Sequence, residues 1–164
     1  MAVQLQNRNT QHLSYPAGLV TATPLTMSIL FNSTSPSATQ ALLGILTAAG
    51  DNGFLMSVQG GKVQASTIVN GTTRYVRTQA NYSADTWNHA AVTFASSTNR
   101  VAWLNGVSSS PNTTSATPAT TMDRTLLGIR VTNNVLSEDL TGQAMHAAIW
   151  NVALTSDEII ALSK

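Results

Sequence analysis

Seven carboxylates and three imidazoles are the side chains in this 164-residue chain best suited to acid–base chemistry. The carboxylates are Asp51, Asp85, Asp123, Glu138, Asp139, Asp157 and Glu158. Cleaving a glycosidic bond needs two facing carboxyl groups about 5–10 Å apart. No candidate strand carries a carboxylate in its interior. Asp157 and Glu158 fall in the first turn of a candidate helix, where negative charge is favoured in any case. Glu138 and Asp139 are adjacent and would point apart if extended. The expectation is a protein that is not an enzyme. Of the histidines His12, His89 and His146, the last two sit in candidate strands and read as packed or hydrogen-bonded residues. The chain is rich in serine, but no nucleophile elbow accompanies it.

Sugar binding asks for something else, an exposed aromatic platform with amide or carboxylate partners. Tyr75, Tyr82 and Trp103 are the candidate platform residues.

Composition narrows the partners. Charged residues make up 9% of the chain, against roughly 25% in ordinary soluble domains. Serine, threonine, asparagine, glutamine and alanine must therefore cover the surface, which suits a protein packed in an assembly. A net charge of +1 gives no electrostatic footprint for nucleic acid or an anionic membrane. Arg74 and Arg77 are three residues apart on one candidate strand, so they face opposite ways and form no basic patch. There is no cysteine, which excludes a disulfide scaffold, a thiol nucleophile and a cysteine zinc site. No apolar run reaches the roughly 18 residues of a membrane span, and no signal peptide is visible at the N-terminus.

These residues hang on a series of short β-prone runs separated by Gly, Asn, Pro and Ser. The alternation over Leu25–Phe31 puts Met27, Ile29 and Phe31 on one face. Ala41–Leu46 is continuously apolar and predicts a strand buried on both sides. Strands are expected at Phe54–Val58, Lys62–Val69, Thr72–Thr78, Asn88–Ala95, Arg100–Asn105, Thr125–Val131 and Gln143–Trp150. Asn70-Gly71 and Asn105-Gly106 are two-residue hairpin signals. Ser108–Thr121 is the one low-complexity segment, and its prolines predict an exposed edge and long loop. Thr155 with Glu158 predicts a capping box for a short helix to Leu162, with Leu154 and Ile159 as its hydrophobic staple. Many strands, regular turns and one terminal helix predict an all-β sandwich in a single domain over 1–164, with residues 1–10 as an N-terminal arm or edge strand.

Three stretches carry a resemblance. Trp87-Asn88-His89-Ala90-Ala91-Val92-Thr93-Phe94 follows a W-x-H-x-A-x-T-[FY] strand. Leu104-Asn105-Gly106 is its hairpin. Ala148-Ile149-Trp150-Asn151-Val152-Ala153-Leu154-Thr155 with Glu158-Ile159 closes the pattern. Together they resemble the concanavalin A-like, laminin-G-like jelly-roll family. The resemblance implies a two-sheet antiparallel jelly roll with one short C-terminal helix, with Trp87 and Trp150 in the core and His89 at the family's histidine position. Many relatives bind calcium on loop oxygens, which makes Asp51-Asn52 and Glu138-Asp139 the local candidates. Calcium wants six to eight oxygens, and no clustered acidic run supplies them. No metal and no cofactor are expected.

A chain that begins at its own domain and ends on its closing helix is expected to be a stand-alone module. By analogy, the leading expectation is a structural bacteriophage virion protein, a capsid decoration or cement protein that binds the assembled lattice of the major capsid protein. A homo-oligomer, most simply a trimer, is expected. The expected contact surfaces are the arm through Val3, Leu5 and Arg8, and the uncharged edge through Ser109, Pro111, Thr114 and Pro118. The alternative is a lectin-like module binding a host surface glycan on a capsid or tail fibre.

Overall fold

The computed structural model describes residues 12–164 and the backbone of Val3–Leu5. The strands begin with β1 (Val3–Leu5), β2 (Leu13–Tyr15), β3 (Leu25–Ser33), β4 (Gln40–Leu46), β5 (Gly53–Gln59), β6 (Lys62–Val69) and β7 (Thr72–Arg77). They continue with β8 (Asn88–Ser96), β9 (Asn99–Leu104), β10 (Val107–Ser108), β11 (Arg124–Leu127), β12 (Arg130–Thr132), β13 (Val135–Ser137) and β14 (Gly142–Trp150). One helix, α1 (Ser156–Leu162), follows. Two antiparallel six-stranded sheets stack as a jelly-roll sandwich. The first has the order β1-β14-β3-β8-β9-β10 and the second β2-β11-β4-β5-β6-β7, while β12 and β13 form a separate hairpin.

The turns follow from asparagine and glycine. Asn70 and Gly71 have φ of 47° and 77°, and Asn105 and Gly106 have 49° and 79°, the left-handed pairs that a type I′ turn requires. Gly60-Gly61 and Asn133-Asn134 make two further turns with positive φ. These tight turns set strand register without slack.

Alternation then sorts the side chains. Met27, Ile29 and Phe31 of β3 face Ile45 of β4 and Phe54, Met56 and Val58 of β5 across the main core. Phe54 and Phe94 meet there at 5.0 Å between ring centroids. Both sheets are also covered on part of their outer faces, and over β4 this explains why Ala41–Leu46 is apolar throughout and wholly buried. Leu46, Leu55, Ile68 and Leu126 lie under Ile129 and Val131. On the other side, Ala91 and Trp103 lie under Ile159 of α1. The segment entering α1 is pinned by Thr26, whose hydroxyl donates to Val152 O (2.8 Å) and accepts from Leu154 N (3.0 Å). The capping box is present: Glu158 N donates to Thr155 Oγ1, and Thr155 N donates to Glu158 Oε2 at 2.7 Å. Those bonds from Thr155 hold the exposed Glu158 carboxyl below the usual carboxylate range.

Four expectations need correcting. Thr125–Val131 is not one strand, because Gly128 at φ 78° breaks it into β11 and β12. Trp87 is not a core residue but 40% exposed. It precedes β8 and shares the outward parity of His89, opposite to Ala90, Val92 and Phe94. His146 is exposed rather than packed. It sits at φ 53° in a β-bulge, where pairing with β3 shifts between Met145 and Ala148. The extra residue inverts the alternation of β14. Ala144 and Ile149 therefore face the core, and Trp150 turns to the outer face, where it is half-buried beside Thr26 rather than in the core.

Candidate functional site

The richest grouping of polar and aromatic side chains lies on the outer face of the second sheet, at its β5-β6-β7 end. The turns Gly60-Gly61 and Asn70-Gly71 place Ser57, Gln64 and Arg77 in one row across the three strands, and Leu55, Ser66 and Tyr75 in the next. Within this frame Arg77 Nε donates to Gln64 Oε1 at 2.7 Å, and Arg77 Nη2 donates to Gln59 Oε1. Gln64 Nε2 donates to Ser66 Oγ at 2.8 Å. The guanidinium carbon of Arg77 stands 4.7 Å from the ring centroid of Tyr75, a cation–π contact that fixes both planes. Tyr75 remains 47% exposed, so it presents ring surface to solvent beside an oriented guanidinium. Among the described residues Arg77 pairs with no carboxylate; the two ion pairs are Arg124–Asp123 and Arg130–Glu138.

The free edge of β7 is held from behind. Asn112 Nδ2 donates to Tyr75 O at 2.8 Å, while Asn112 Oδ1 accepts from Arg100 Nη1 at 2.7 Å. Arg100 is fully buried and also donates to Ser97 O and Thr114 O. Burial, and then the charge of Arg74, push its pKa down. The loop after β10 thus closes the open side of the sandwich and braces Tyr75.

Of the three sequence-predicted platform residues, only Tyr75 is on this surface. Tyr82 is buried, edge-on to Phe31 at 5.1 Å, with its hydroxyl donating to Ser33 Oγ. Trp103 is buried under α1 with Ala91 and Ile159. From the sequence, Arg77 enters only as half of a basic patch that does not form, and Gln64 and Gln59 are not singled out. The signal was there in the two-residue turn Asn70-Gly71, which dictates that Gln64 opposes Arg77, and in Gly60-Gly61, which sets Gln64 opposite Ser57.

The expected contact residues are dispersed. Val3–Leu5 pairs with β14 as an edge strand, and Arg8 lies outside the described residues. Pro111 and Thr114 are exposed. Ser109 and Pro118 are buried and cannot line a contact surface; Ser109 extends the edge ladder by exchanging bonds with Ala102.

Three residues of the two calcium candidates, Asp51, Asn52 and Glu138, are engaged by other protein groups. Asp51 Oδ1 accepts from Thr47 Oγ1 at 2.6 Å, which lowers its pKa. Asn52 Oδ1 accepts from the backbone of Asn70 and Ala119. Glu138 pairs with Arg130 at 3.3 Å. Among the described residues no group of three metal-binding side chains converges. All seven carboxylates lie in loops or in α1.

Comparison with known proteins agrees with this architecture. The chain is similar in structure to the CBM40 of Ruminococcus gnavus IT-sialidase bound to α2,3-sialyllactose, with a TM-score of 0.79 at 16% identity, covering 100% of this chain and 98% of that one. It is similar to the heptameric SAP-like pentraxin of Limulus polyphemus, with a TM-score of 0.78 at 16% identity over 99% of this chain and 81% of that one. It is also similar to mouse laminin α1 domains LG4-5, with a TM-score of 0.74 at 13% identity over 95% and 43%. No curated protein sequence matches the chain. The model of the Laminin_G_3 family, described as the concanavalin A-like lectin/glucanases superfamily, matches residues 7–160. With nearly its whole length matched, the chain belongs to the Laminin_G_3 family of the concanavalin A-like lectin/glucanase superfamily.

Proposed function

We propose that this domain is a non-catalytic glycan-binding module whose ligand lies against Tyr75 and Arg77 on the outer face of the second sheet. The observation that carries this reading is the exposed Tyr75 ring beside a guanidinium held in place by Gln59 and Gln64. A sugar offers an apolar C–H face to an aromatic ring and oxygen acceptors to a fixed donor fork. Among the described residues no carboxylate pairs with Arg77, and an acidic sugar would supply the missing charge. The likeness to a sialyllactose-bound CBM40 supports the ligand class at the level of fold. Calorimetric titration with 3′-sialyllactose and with lactose tests it: the acidic sugar binds, lactose binds at least about tenfold more weakly, and Arg77→Ala removes the difference. Equal affinity for both sugars contradicts the role of Arg77.

A second reading is favoured by a different observation. Leu13, Tyr15 and Leu19 are each more than half exposed, and β2 is the last strand of its sheet. Apolar side chains at a sheet edge suit association with another protein surface. A virion lattice role, with the domain as a trimeric decoration protein, is one form such an association would take. Sedimentation of the purified chain with and without undecorated capsids separates the two. A monomer that ignores capsids removes the lattice reading.

A further inference from the structure

On the opposite side of the sandwich, α1 and the outer face of the first sheet enclose a cleft of about 320 Å³. Its walls include Ser28 and Leu30 of β3, His89 of β8, His146 and Trp150 of β14, and Leu162 of α1. Neither an acid nor a strong base lines it among the described residues.

Three features of the cleft go beyond what packing requires. First, His146 is held at φ 53° by the bulge of β14. Left-handed backbone at a non-glycine residue is uncommon, and bulges re-aim side chains beside functional sites. Second, the same bulge turns Trp150 out of the core and into the cleft wall. Third, Ser28 and His89, 4% and 3% exposed, are hydrogen-bonded at 2.8 Å between Oγ and Nε2, while His89 Nδ1 is buried without a partner. A buried orphan N–H is rarer than a bare lone pair, which puts the proton on Nε2, donating to Ser28 Oγ. The Ser28 hydroxyl then keeps its own proton to give. The cleft thus offers an indole, a hydroxyl donor and an exposed imidazole, with no fixed charge. Its volume stands at the small end of ligand sites.

We infer that this cleft is a second sugar site, taking a single neutral pyranose ring against Trp150 with Ser28 and His146 as its polar contacts. The ligand class rests on the glycan-binding reading above, but the site shares no residue with the Tyr75 face. Two sites on opposite faces let one domain bridge two glycan branches or two glycans, which raises apparent affinity on a multivalent surface.

The test is an NMR titration of the full chain, following the ring signals of His89, His146 and Trp150. The probes are methyl β-D-galactoside, methyl α-D-glucoside and methyl N-acetyl-β-D-glucosaminide. At least one glycoside is expected to shift all three rings saturably. Ser28→Ala and His146→Ala should each weaken it by about fivefold or more. His146 is exposed, so its variant keeps the fold, and Arg77→Ala should leave this binding unchanged. No saturable shift with any of the three probes, or shifts indifferent to both variants, overturns the inference. Loss of 3′-sialyllactose binding with the glycoside shifts retained would remove the Tyr75 site and leave the cleft standing. The converse result would remove the cleft alone.

Discussion

Arg100 shows how a single buried side chain organises its surroundings. Its guanidinium is fully buried and meets only neutral oxygens of Ser97, Asn112 and Thr114. Removing it leaves Thr114 O unpaired, takes one of two donors from Ser97 O and from Asn112 Oδ1, and loosens the loop that braces Tyr75. Arg100→Ala should therefore cost roughly 2–4 kcal/mol of stability, measured by denaturant unfolding. His89 makes a different prediction. Burial holds its imidazole below the ordinary value, so the unfolded chain binds that proton more readily than the folded one. Its contribution is fully present above about pH 6.5 and is lost as pH falls through the folded value. Denaturant unfolding between about pH 7.5 and pH 5 should show that loss, and His89→Gln should flatten it. The tryptophans are told apart in the same assay. Trp103→Ala should cost about 3–5 kcal/mol, whereas the exposed Trp87 should cost well under that.

At the level of elements, α1 is too short to stand alone and depends on two devices. Thr155→Ala removes the cap and should cost about 1 kcal/mol. Ile159→Ala opens a void over Trp103 and Ala91 and should cost about 2–5 kcal/mol. Thermal melts of both variants check the order. Both devices were legible in the sequence, because a capping box and a staple are local patterns. The hairpins at Asn70-Gly71 and Asn105-Gly106 were legible for the same reason: positive φ at two successive positions is a demand that few residue pairs meet. What escaped was non-local or hinged on one extra residue. The bulge at His146 reverses the facing of Trp150, and no residue type near it announces an insertion. Gly128 ends β11 inside an otherwise uniform β-prone run. Tyr82 and Trp103 read as exposed because nothing in their own neighbourhoods reveals Phe31 or α1 lying against them. The polar site was half legible. Tyr75 stood out as an aromatic on a strand, but Arg77 joins it only once the register of β6 and β7 is counted from their turns.

For the molecule as a whole, the low charge content now has a structural counterpart. Both sheets bury part of their outer faces, under α1 on one side and the β12–β13 hairpin on the other, so a sandwich can be largely apolar without exposing it. Burial of these outer faces accounts for part of the uncharged composition. The remaining outer surface of the second sheet carries Tyr75 and Arg77, and that face is the centre of the account. The most direct test is calorimetric titration of the wild-type chain and Arg77→Ala with 3′-sialyllactose and lactose. Wild type should bind the acidic sugar at least about tenfold more tightly than lactose, and the variant should lose that preference while keeping its melting temperature within a few degrees. No heat of binding with either sugar, or an unchanged preference in the variant, would contradict it.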